Sequence, residues 1–587
     1  MVERFTARAD SSAARRVGAL FWRCRSVSAC SFAPRLAHVR EWLDDGDTSE
    51  LSDGDDRVFD ATAEPSGRDE PLPSVSVTEL PGDYGPFSRL RRCADGSGRS
   101  PVSLGTKHGA ARSKDKFNFN HRPLMSIAFL RVPPTSPSSQ LPLQFVSVRT
   151  SLLFQVAFVA SLLAVTSAGQ TPAPLALDAL ASDPVKLGWM LGSPPPPESL
   201  IRFSDGSFRR FPQTRWAFSN MRQFVSTRVI PRGDANATTL PRAERADIDA
   251  VEFIPMGGSR PMTWAKSLLA NYTDGILVLH RGRIVYERYF GVLAPERQHI
   301  AFSVTKSFVA TLAATLIAEG ALSETATVAH YVPELKDSGF GNATLRQLLD
   351  MTTGIKFGED YANEKAEIWD FSRAGHLLPR AAGYTGPDSL YAYLPSIRNE
   401  AAHGERFAYR TPNTSVLAWV LHRATGKSFG ELLRERIWSK LGVEQDAYCL
   451  VDPVGTESAG GGLNLTLRDM ARFGEMMRLD GRYNGQQIVP KVVIDDIRRG
   501  GSRDYFAKAG YTTKPGWSYR NMWWVCHNEH GAFNARGIHG QLIYIDPTVE
   551  MVIVQFASHP GAAGSNFDAT SLPAYHAVAK HLMGKPQ

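Results

Sequence analysis

Ser303 and Lys306 stand three residues apart in the stretch IAFSVTKSFVATLAATLIAEG, residues 300 to 320. A serine hydroxyl is a poor nucleophile at neutral pH and must lose its proton as it attacks, so it needs a base within reach. A lysine can be that base only when neutral, and apolar packing lowers its pKa by disfavouring the charged form. A spacing of three puts both side chains on one face of a helix, one turn apart. Phe308, Leu312, Thr315, Leu316 and Glu319 recur at helical intervals, which predicts a helix with one apolar stripe and Gly320 as its stop. A serine in the first turn also meets unpaired backbone N–H groups and the positive end of the helix dipole.

The S-x-x-K spacing has little weight alone, because Ser113 and Lys116 repeat it in a polar segment with no helical stripe. There a capping serine and a solvated lysine suffice. The surroundings of Ser303 differ. Ahead of it, MTWAKSLLANY reads as a short helix, and DGILVLHRGRIVYERYFG as two β-rich runs joined at Arg281-Gly282, a hairpin. After Gly320 the pattern turns helical in TLRQLLDMTTGI, TSVLAWVLHRATG, GELLRERIWSKLG and LTLRDMARFGEMMRLDG. Strands return from about Trp517 in YRNMWWVCH, RGIHGQLIYID and EMVIVQFAS. SLPAYHAVAKHLM closes the chain as a helix with Leu572, Tyr575, Ala579 and Leu582 on one side. The prediction is an α/β fold, an antiparallel sheet flanked by helices, with an inserted mainly helical domain at about 321–510.

A chain of 587 residues that is 43% hydrophobic can bury a large core and hold more than one domain. The charge of +7 is mild, and the basic residues are scattered rather than grouped with aromatics, which argues against nucleic-acid binding. Residues 1–147 mix Arg, Ser, Asp, Gly and Pro with few periodic apolar runs and read as disordered or as a mis-assigned N-terminal extension. Residues 148–169 have the layout of a secretory signal peptide, with Arg149 ahead of an apolar run from Leu152 to Val165 and small residues from Thr166 to Ala168. That run is too short for a stable membrane span, so the expected location is periplasmic or secreted, or cytoplasmic if the segment is not a signal. The segment from Gln170 to about Arg242, with its SPPPP turn, reads as aromatic-basic strands wrapping a hydrolase domain that spans 170–587.

The stretches GWMLGSPPPP, TDGILVLHRGRIVYERYFG, HIAFSVTKSF, LLDMTTGIKFGEDY, FAYRTPNTSVLAWV, GGGLNLTLRDMARFGEMM and ARGIHGQLIYIDP resemble, in this order, the serine β-lactamase-like superfamily. Within it they are most similar to the 6-aminohexanoate-dimer hydrolases and their esterase relatives, over roughly Val185 to the C-terminus. The resemblance implies a β-lactamase/penicillin-binding transpeptidase-like fold and hydrolysis of a small ester or amide through an acyl-enzyme, without a cofactor. It implies Ser303 as the acylated serine, Lys306 as its partner and Tyr409 as the second-motif tyrosine that moves protons. It also implies an oxyanion hole from the N–H groups of Ser303 and Ile538. The K-T-G strand of the superfamily matches Ala535-Arg536-Gly537, and the absent lysine at 535 argues against β-lactamase activity. Thr411 stands where an asparagine is expected two residues after Tyr409, and Asn413 follows. Tyr361 matches a tyrosine that contacts the substrate amide, Asp370 lies near a position that recognises a substrate amino group, and Gly537 lets substrate approach. His539 faces the site in one strand register and turns away after a one-residue slip.

The rivals to this reading are a β-lactamase, D-amino-acid amidase or peptidoglycan peptidase of the same fold, and a non-catalytic binding protein. Retention of Ser303, Lys306 and Tyr409 together speaks against the last. Gly426-Lys427-Ser428-Phe429-Gly430 is a literal G-x-S-x-G, but it follows a helix instead of a strand, and Ser428 with Glu431 fits a capping box. His527 and His530 lack a third ligand, so no metal is expected. Of five cysteines, Cys449 and Cys526 are the two that could pair in an exported protein, with two free buried thiols as the simpler expectation.

Overall fold

The computed structural model describes residues 176–584. The extension at 1–147, the signal segment at 148–169, Ser113, Lys116, Cys24, Cys30 and Cys93 lie outside the described residues.

The predicted hairpin forms as β1 (Thr273–His280) and β2 (Arg283–Tyr289). It turns through Arg281 and Gly282, both with positive φ, as a tight hairpin turn requires. The chain then enters helix α1 (Val304–Ala318), and later α2 (Glu367–Ala374), α3 (Pro412–Thr425) and α4 (Leu467–Arg478). Strands β3 (Ser518–Arg520), β4 (Trp523–Val525), β5 (Phe533–Arg536), β6 (Leu542–Asp546) and β7 (Met551–Ala557) follow, and α5 (Ser565–Gly584) ends the described chain. The main sheet runs β3-β4-β5-β6-β7-β1-β2, and every pairing in it is antiparallel. Its two ends of sequence meet where β7 pairs β1 from Met551↔His280 onward.

Alternation along these strands assigns their faces. Ile543 and Val554 are cross-strand partners, as are Ile545 and Val552. This face takes α4, whose Gly474 approaches so closely that an added Cβ would stand 2.7 Å from Val552 and 3.0 Å from Ile543. On the opposite face Tyr544 meets Tyr575 of α5 with ring centroids 5.5 Å apart, and the Tyr575 hydroxyl donates to Gln555. A sheet covered on both sides explains why β1 is buried at all eight positions.

Helix α1 departs from the expected stripe, because every residue from Val304 to Leu316 is buried. Its polar side chains are accommodated by local bonding: Thr311 and Thr315 hydroxyls donate to the carbonyls of Ser307 and Thr311, at 2.7 and 2.8 Å. The Ser307 hydroxyl reaches the Met522 carbonyl at 2.7 Å. Satisfied in this way, the helix packs on all sides.

Three other segments differ from their sequence reading. YRNMWWVCH is a hairpin and not one strand, since Asn521 and Met522 both adopt positive φ between β3 and β4. RGIHGQLIYID is likewise broken by a tight turn at Ile538–Gly540. The aromatic-basic segment after the prolines forms short helical turns at Pro197–Ser199, Ser207–Arg209, Thr214–Ala217 and Met221–Gln223. Prolines there remove the donors a strand would need, while Phe208, Trp216 and Phe218 turn inward onto a second apolar cluster that includes Phe302. Between 321 and 510 helices predominate. Two strands of that region, Ala447–Leu450 and Leu463–Leu465, join Thr227–Ile230 and His299–Ile300 in a small second sheet.

Candidate active site

Ser303 is the N-cap residue of α1 and is 8% exposed. Phe302 just before it holds φ at 42°, a conformation that a bulky residue adopts only under constraint. The constraint is aromatic. The Phe302 ring is fixed against Phe218, with centroids 4.9 Å apart, and against His539 at 5.6 Å. The resulting turn presents Ser303 to the lysine one helical turn on.

The Lys306 Nζ donates to Ser303 Oγ at 2.9 Å and to the Gly460 carbonyl at 2.5 Å, and the residue is 1% exposed. Burial pulls its pKa down from 10.5 to about 8, against an opposing pull from the Glu359 charge. The glycine run Gly460-Gly461-Gly462 makes the carbonyl contact possible: a Cβ on Gly460 would come within 2.5 Å of Thr411, and one on Gly462 within 2.8 Å of Ser458. The Lys306 ammonium also lies 5.2 Å from the centre of the Tyr409 ring. Tyr409, just before α3, packs at 5.7 Å on the ring of Trp524. Burial and then the Glu359 charge push its phenol well above the ordinary value, while hydrogen bonding to Ser303 pulls the other way.

These groups open onto a cavity of about 710 Å3. Ser303, Tyr361, Tyr409, Gly537 and Ile538 line it. An added Cβ on Gly537 would lie 2.7 Å from the Ala301 carbonyl, so the end of β5 runs directly beside the chain entering α1. The N–H groups of Ser303 and Ile538 donate to no backbone carbonyl among the described residues, whereas the flanking Gly537 and His539 N–H groups are bonded to Gln541 and Ala562.

Tyr361 lines the cavity and donates to Glu359 at 2.9 Å, its phenol pushed well up by burial and then by that carboxylate. Thr411 is turned away to Glu359 through both its N–H, at 2.6 Å, and its hydroxyl, at 2.5 Å. Asn413 is fully buried and accepts from the Thr353 hydroxyl at 2.7 Å, a bond inside the core. Asp370, on α2, is 63% exposed, pairs with Arg373 at 2.9 Å and is not part of the cavity wall. His539 sits in the turn after β5 with φ 61°, so neither strand register applies to it. Its ring packs on Phe218 and Phe302, its Nδ1 meets the His559 carbonyl at 2.7 Å, and burial lowers its pKa to about 4.

Glu359 and Gly460 were not singled out by the sequence, although both lie in stretches that were, KFGEDY and GGGLNLTL. The local signal for Glu359 was an acid two residues before a tyrosine. Nothing local marks the Gly460 carbonyl. Ser428 caps the helix Phe429–Arg436 in a full capping box with Glu431. His527 bonds Ser518 and His530 bonds Asp546, both at 2.7 Å. Among the described residues Cys449 and Cys526 are free and buried, and burial raises both thiols, that of Cys526 to about 12.

The family model "Beta-lactamase" matches residues 266–576, more than half of the chain, and spans every group described above from Ser303 to Ile538. The chain belongs to the beta-lactamase family. It is 34% identical over 355 residues to the 6-aminohexanoate-dimer hydrolase of Paenarthrobacter ureafaciens, covering 60% of this chain and 88% of that one. Among solved structures, a Bacillus anthracis protein provisionally designated a 6-aminohexanoate-dimer hydrolase superposes with a TM-score of 0.60 at 34% identity. That match covers 65% of this chain and 97% of the other. The fold is that of the β-lactamases and penicillin-binding proteins, and the chain is a hydrolase of that fold.

Proposed function

We propose that this beta-lactamase-family protein is a serine hydrolase that cleaves ester or amide bonds through an acyl-enzyme. The observation that carries the reading is the 2.9 Å contact between Ser303 Oγ and a buried Lys306 whose pKa lies near 8. Ser303 Oγ attacks the substrate carbonyl carbon as Lys306 takes its proton. The N–H groups of Ser303 and Ile538 receive the developing oxyanion, and donors of this kind are worth about 3 kcal/mol each. Tyr409 passes a proton to the departing alcohol or amine, and water then attacks the acyl-serine with the same groups serving in reverse. Lys306 lies over the Tyr409 ring in the same buried site, so the proton that Lys306 takes from the serine can replace the one that Tyr409 gives to the leaving group.

Short-chain esters are the first substrates to test, because an ester leaving group asks least of the acid. Linear amides of the 6-aminohexanoate type are the sharper version, supported by what the two relatives are called. Hydrolysis of p-nitrophenyl acetate and butyrate is to be measured for the full chain beside Ser303→Ala and Ser428→Ala. Turnover is expected to vanish in Ser303→Ala alone. Undiminished turnover in Ser303→Ala would sink the assignment.

A further inference from the structure

Arg209, at the end of the turn Ser207–Arg209, lies outside the residues that the family model matches, yet its guanidinium stands among groups of the site. Phe208 before it is fully buried and stacked on Phe203 and Phe224, with centroids 5.4 and 5.3 Å apart, so the turn that carries Arg209 is fixed. Among the described residues the guanidinium has no ion pair and donates no hydrogen bond. Burial pulls its pKa below the ordinary value, as for any cation held out of water without a counter-ion.

In place of an anion the guanidinium has two aromatic rings. Its central carbon lies 5.9 Å from the centre of the Phe302 ring and 5.9 Å from that of Trp369. A ring face attracts a cation, more strongly when the cation is desolvated, and the flat, weakly hydrated guanidinium suits such a place. The two rings belong to different parts of the site. Phe302 immediately precedes Ser303 and holds the constrained turn, whereas Trp369, on α2, supports the cavity wall Gly358–Glu367. That segment is closed at its base, where the Gly358 N–H donates to Glu367 at 2.8 Å and the Ile368 N–H to the Gly358 carbonyl at 3.1 Å. Its middle leans on Trp369, whose Nε1 donates to the Asn363 carbonyl at 2.9 Å and whose ring meets that of Tyr361 edge-on at 5.7 Å. Asn363 and Tyr361 both line the cavity.

We propose that Arg209 is a positioning residue for the substrate wall: stacked between Phe302 and Trp369, it fixes the segment that carries Tyr361 and Asn363 at a set distance from the Ser303 turn. The clamp deepens the serine-hydrolase reading and rests on it for what the wall serves. Its two contacts join three pieces of chain remote in sequence, and none of them touches the Ser303–Lys306 pair. Losing the clamp therefore loosens the wall and weakens substrate binding, while the proton transfers on α1 keep their geometry.

The test uses the full chain and the variants Arg209→Met, Arg209→Lys, Trp369→Leu and Arg209→Met with Trp369→Leu. Amide hydrogen exchange is followed over residues 358–367 and, as the reference, over 304–318. Kinetics of p-nitrophenyl butyrate are followed in parallel. In Arg209→Met, exchange over 358–367 is expected to rise on the order of tenfold with 304–318 unchanged, and KM to rise on the order of fivefold with kcat within about twofold, the loss of two desolvated ring contacts. Arg209→Lys keeps a cation on the same rings and should return both readouts to within about twofold of the wild type. Once Trp369 is replaced the arginine has nothing to clamp, so the double variant should match Trp369→Leu instead of multiplying the two effects. Unchanged exchange or unchanged KM in folded Arg209→Met, an equal rise in both segments, no rescue by lysine, or multiplied effects in the double variant overturns the proposal. Should Arg209→Met fail to fold, Trp369→Leu removes the other face of the clamp and is read in the same way. If the wild type hydrolyses no ester, the serine reading fails instead, and the exchange comparison still decides the clamp.

Discussion

If Lys306 is the base, the rate must follow its proton. A lysine with pKa about 8 is neutral in about one molecule in ten at pH 7, against about one in three thousand at the ordinary 10.5, a gain of roughly 300-fold in competent enzyme. kcat/KM for p-nitrophenyl butyrate should therefore rise about tenfold per pH unit up to about pH 8 and then level. The informative perturbation is Glu359→Gln. Its carboxylate opposes burial and holds the proton on Lys306, so removing the charge lowers the lysine pKa and moves the acid limb to lower pH. The same change lowers the Tyr409 phenol, which Glu359 also raises. Glutamine keeps one oxygen for the Thr411 N–H, and its amide N–H groups can donate to the Thr411 and Tyr361 hydroxyls, which turn from donors into acceptors, so the contacts persist without the charge. The height of the plateau is free to change, but the position of the limb is the readout. Initial rates at low ester concentration from pH 6 to 9.5, read at the isosbestic wavelength of nitrophenol and corrected with Ser303→Ala, give it directly. A wild-type limb near pH 10, or a limb that stays or moves upward in Glu359→Gln, would refute the reasoning.

Two further outcomes follow from the same geometry. The folded pKa of Lys306 lies below the unfolded one, so the unfolded chain holds the proton more tightly between about pH 8 and 10.5. The burial penalty is thus fully present below pH 8 and fades as pH rises to 10.5. Relative to Lys306→Met, the wild type should gain about 3 kcal/mol of stability over that window, read by urea unfolding. A difference that does not change with pH would contradict the depressed pKa. In Gly537→Ala the new Cβ meets the Ala301 carbonyl at 2.7 Å and Gln541 at 3.0 Å, so the strand end and the Ile538 N–H must shift. kcat should fall on the order of tenfold to a hundredfold with KM little changed. Full kcat in a folded Gly537→Ala would remove Ile538 from the oxyanion hole.

Much of this site was legible because its central contact is local. Ser303 and Lys306 meet through helical spacing alone, and the β1–β2 hairpin is written in its turn residues. What escaped was set by contacts remote in sequence. The Lys306–Gly460 bond joins residues 154 apart, and the Lys514–Asp568 pair joins residues 54 apart. No periodicity encodes either. The spacing of Phe308, Leu312, Thr315 and Leu316 predicts one apolar stripe on helix α1, yet the helix is buried on every side, with the Thr311 and Thr315 hydroxyls absorbed by its own carbonyls. The segment from Gln170 to about Arg242 reads as aromatic-basic strands after a Pro-rich turn, but its prolines favour turns, and among its described residues a strand forms only at Thr227–Ile230. The family resemblance puts Asp370 near a substrate-recognising position, whereas the structure sets it on the exposed face of α2, paired with Arg373.

In the proposed reaction, what holds the chemistry is separate from what would select the substrate. Ser303 and Lys306 belong to a helix buried on every side, backed by the Phe302–Phe218 contact and by the close approach of Gly460 and Gly537. Close packing of this kind fixes distances and tolerates little change. The opposite walls are built from chain outside the main sheet, with Gly358–Glu367 on one side and Lys508–Lys514 with Ala562–Ser565 on another. Glu359 is the group that belongs to both. It accepts from Tyr361, which lines the cavity, and from Thr411 behind it, and, second to burial, its charge raises the proton affinity of Lys306 and Tyr409. A bound substrate that covers Glu359 from solvent, or brings a cation to it, would therefore change the proton affinity of the base. Lys306 would then be tuned by substrate and not by the fold alone, and the acid limb of kcat would differ in position from that of kcat/KM. Coincident limbs for a neutral ester and for one bearing an ammonium group would mean that Glu359 is only a structural acceptor.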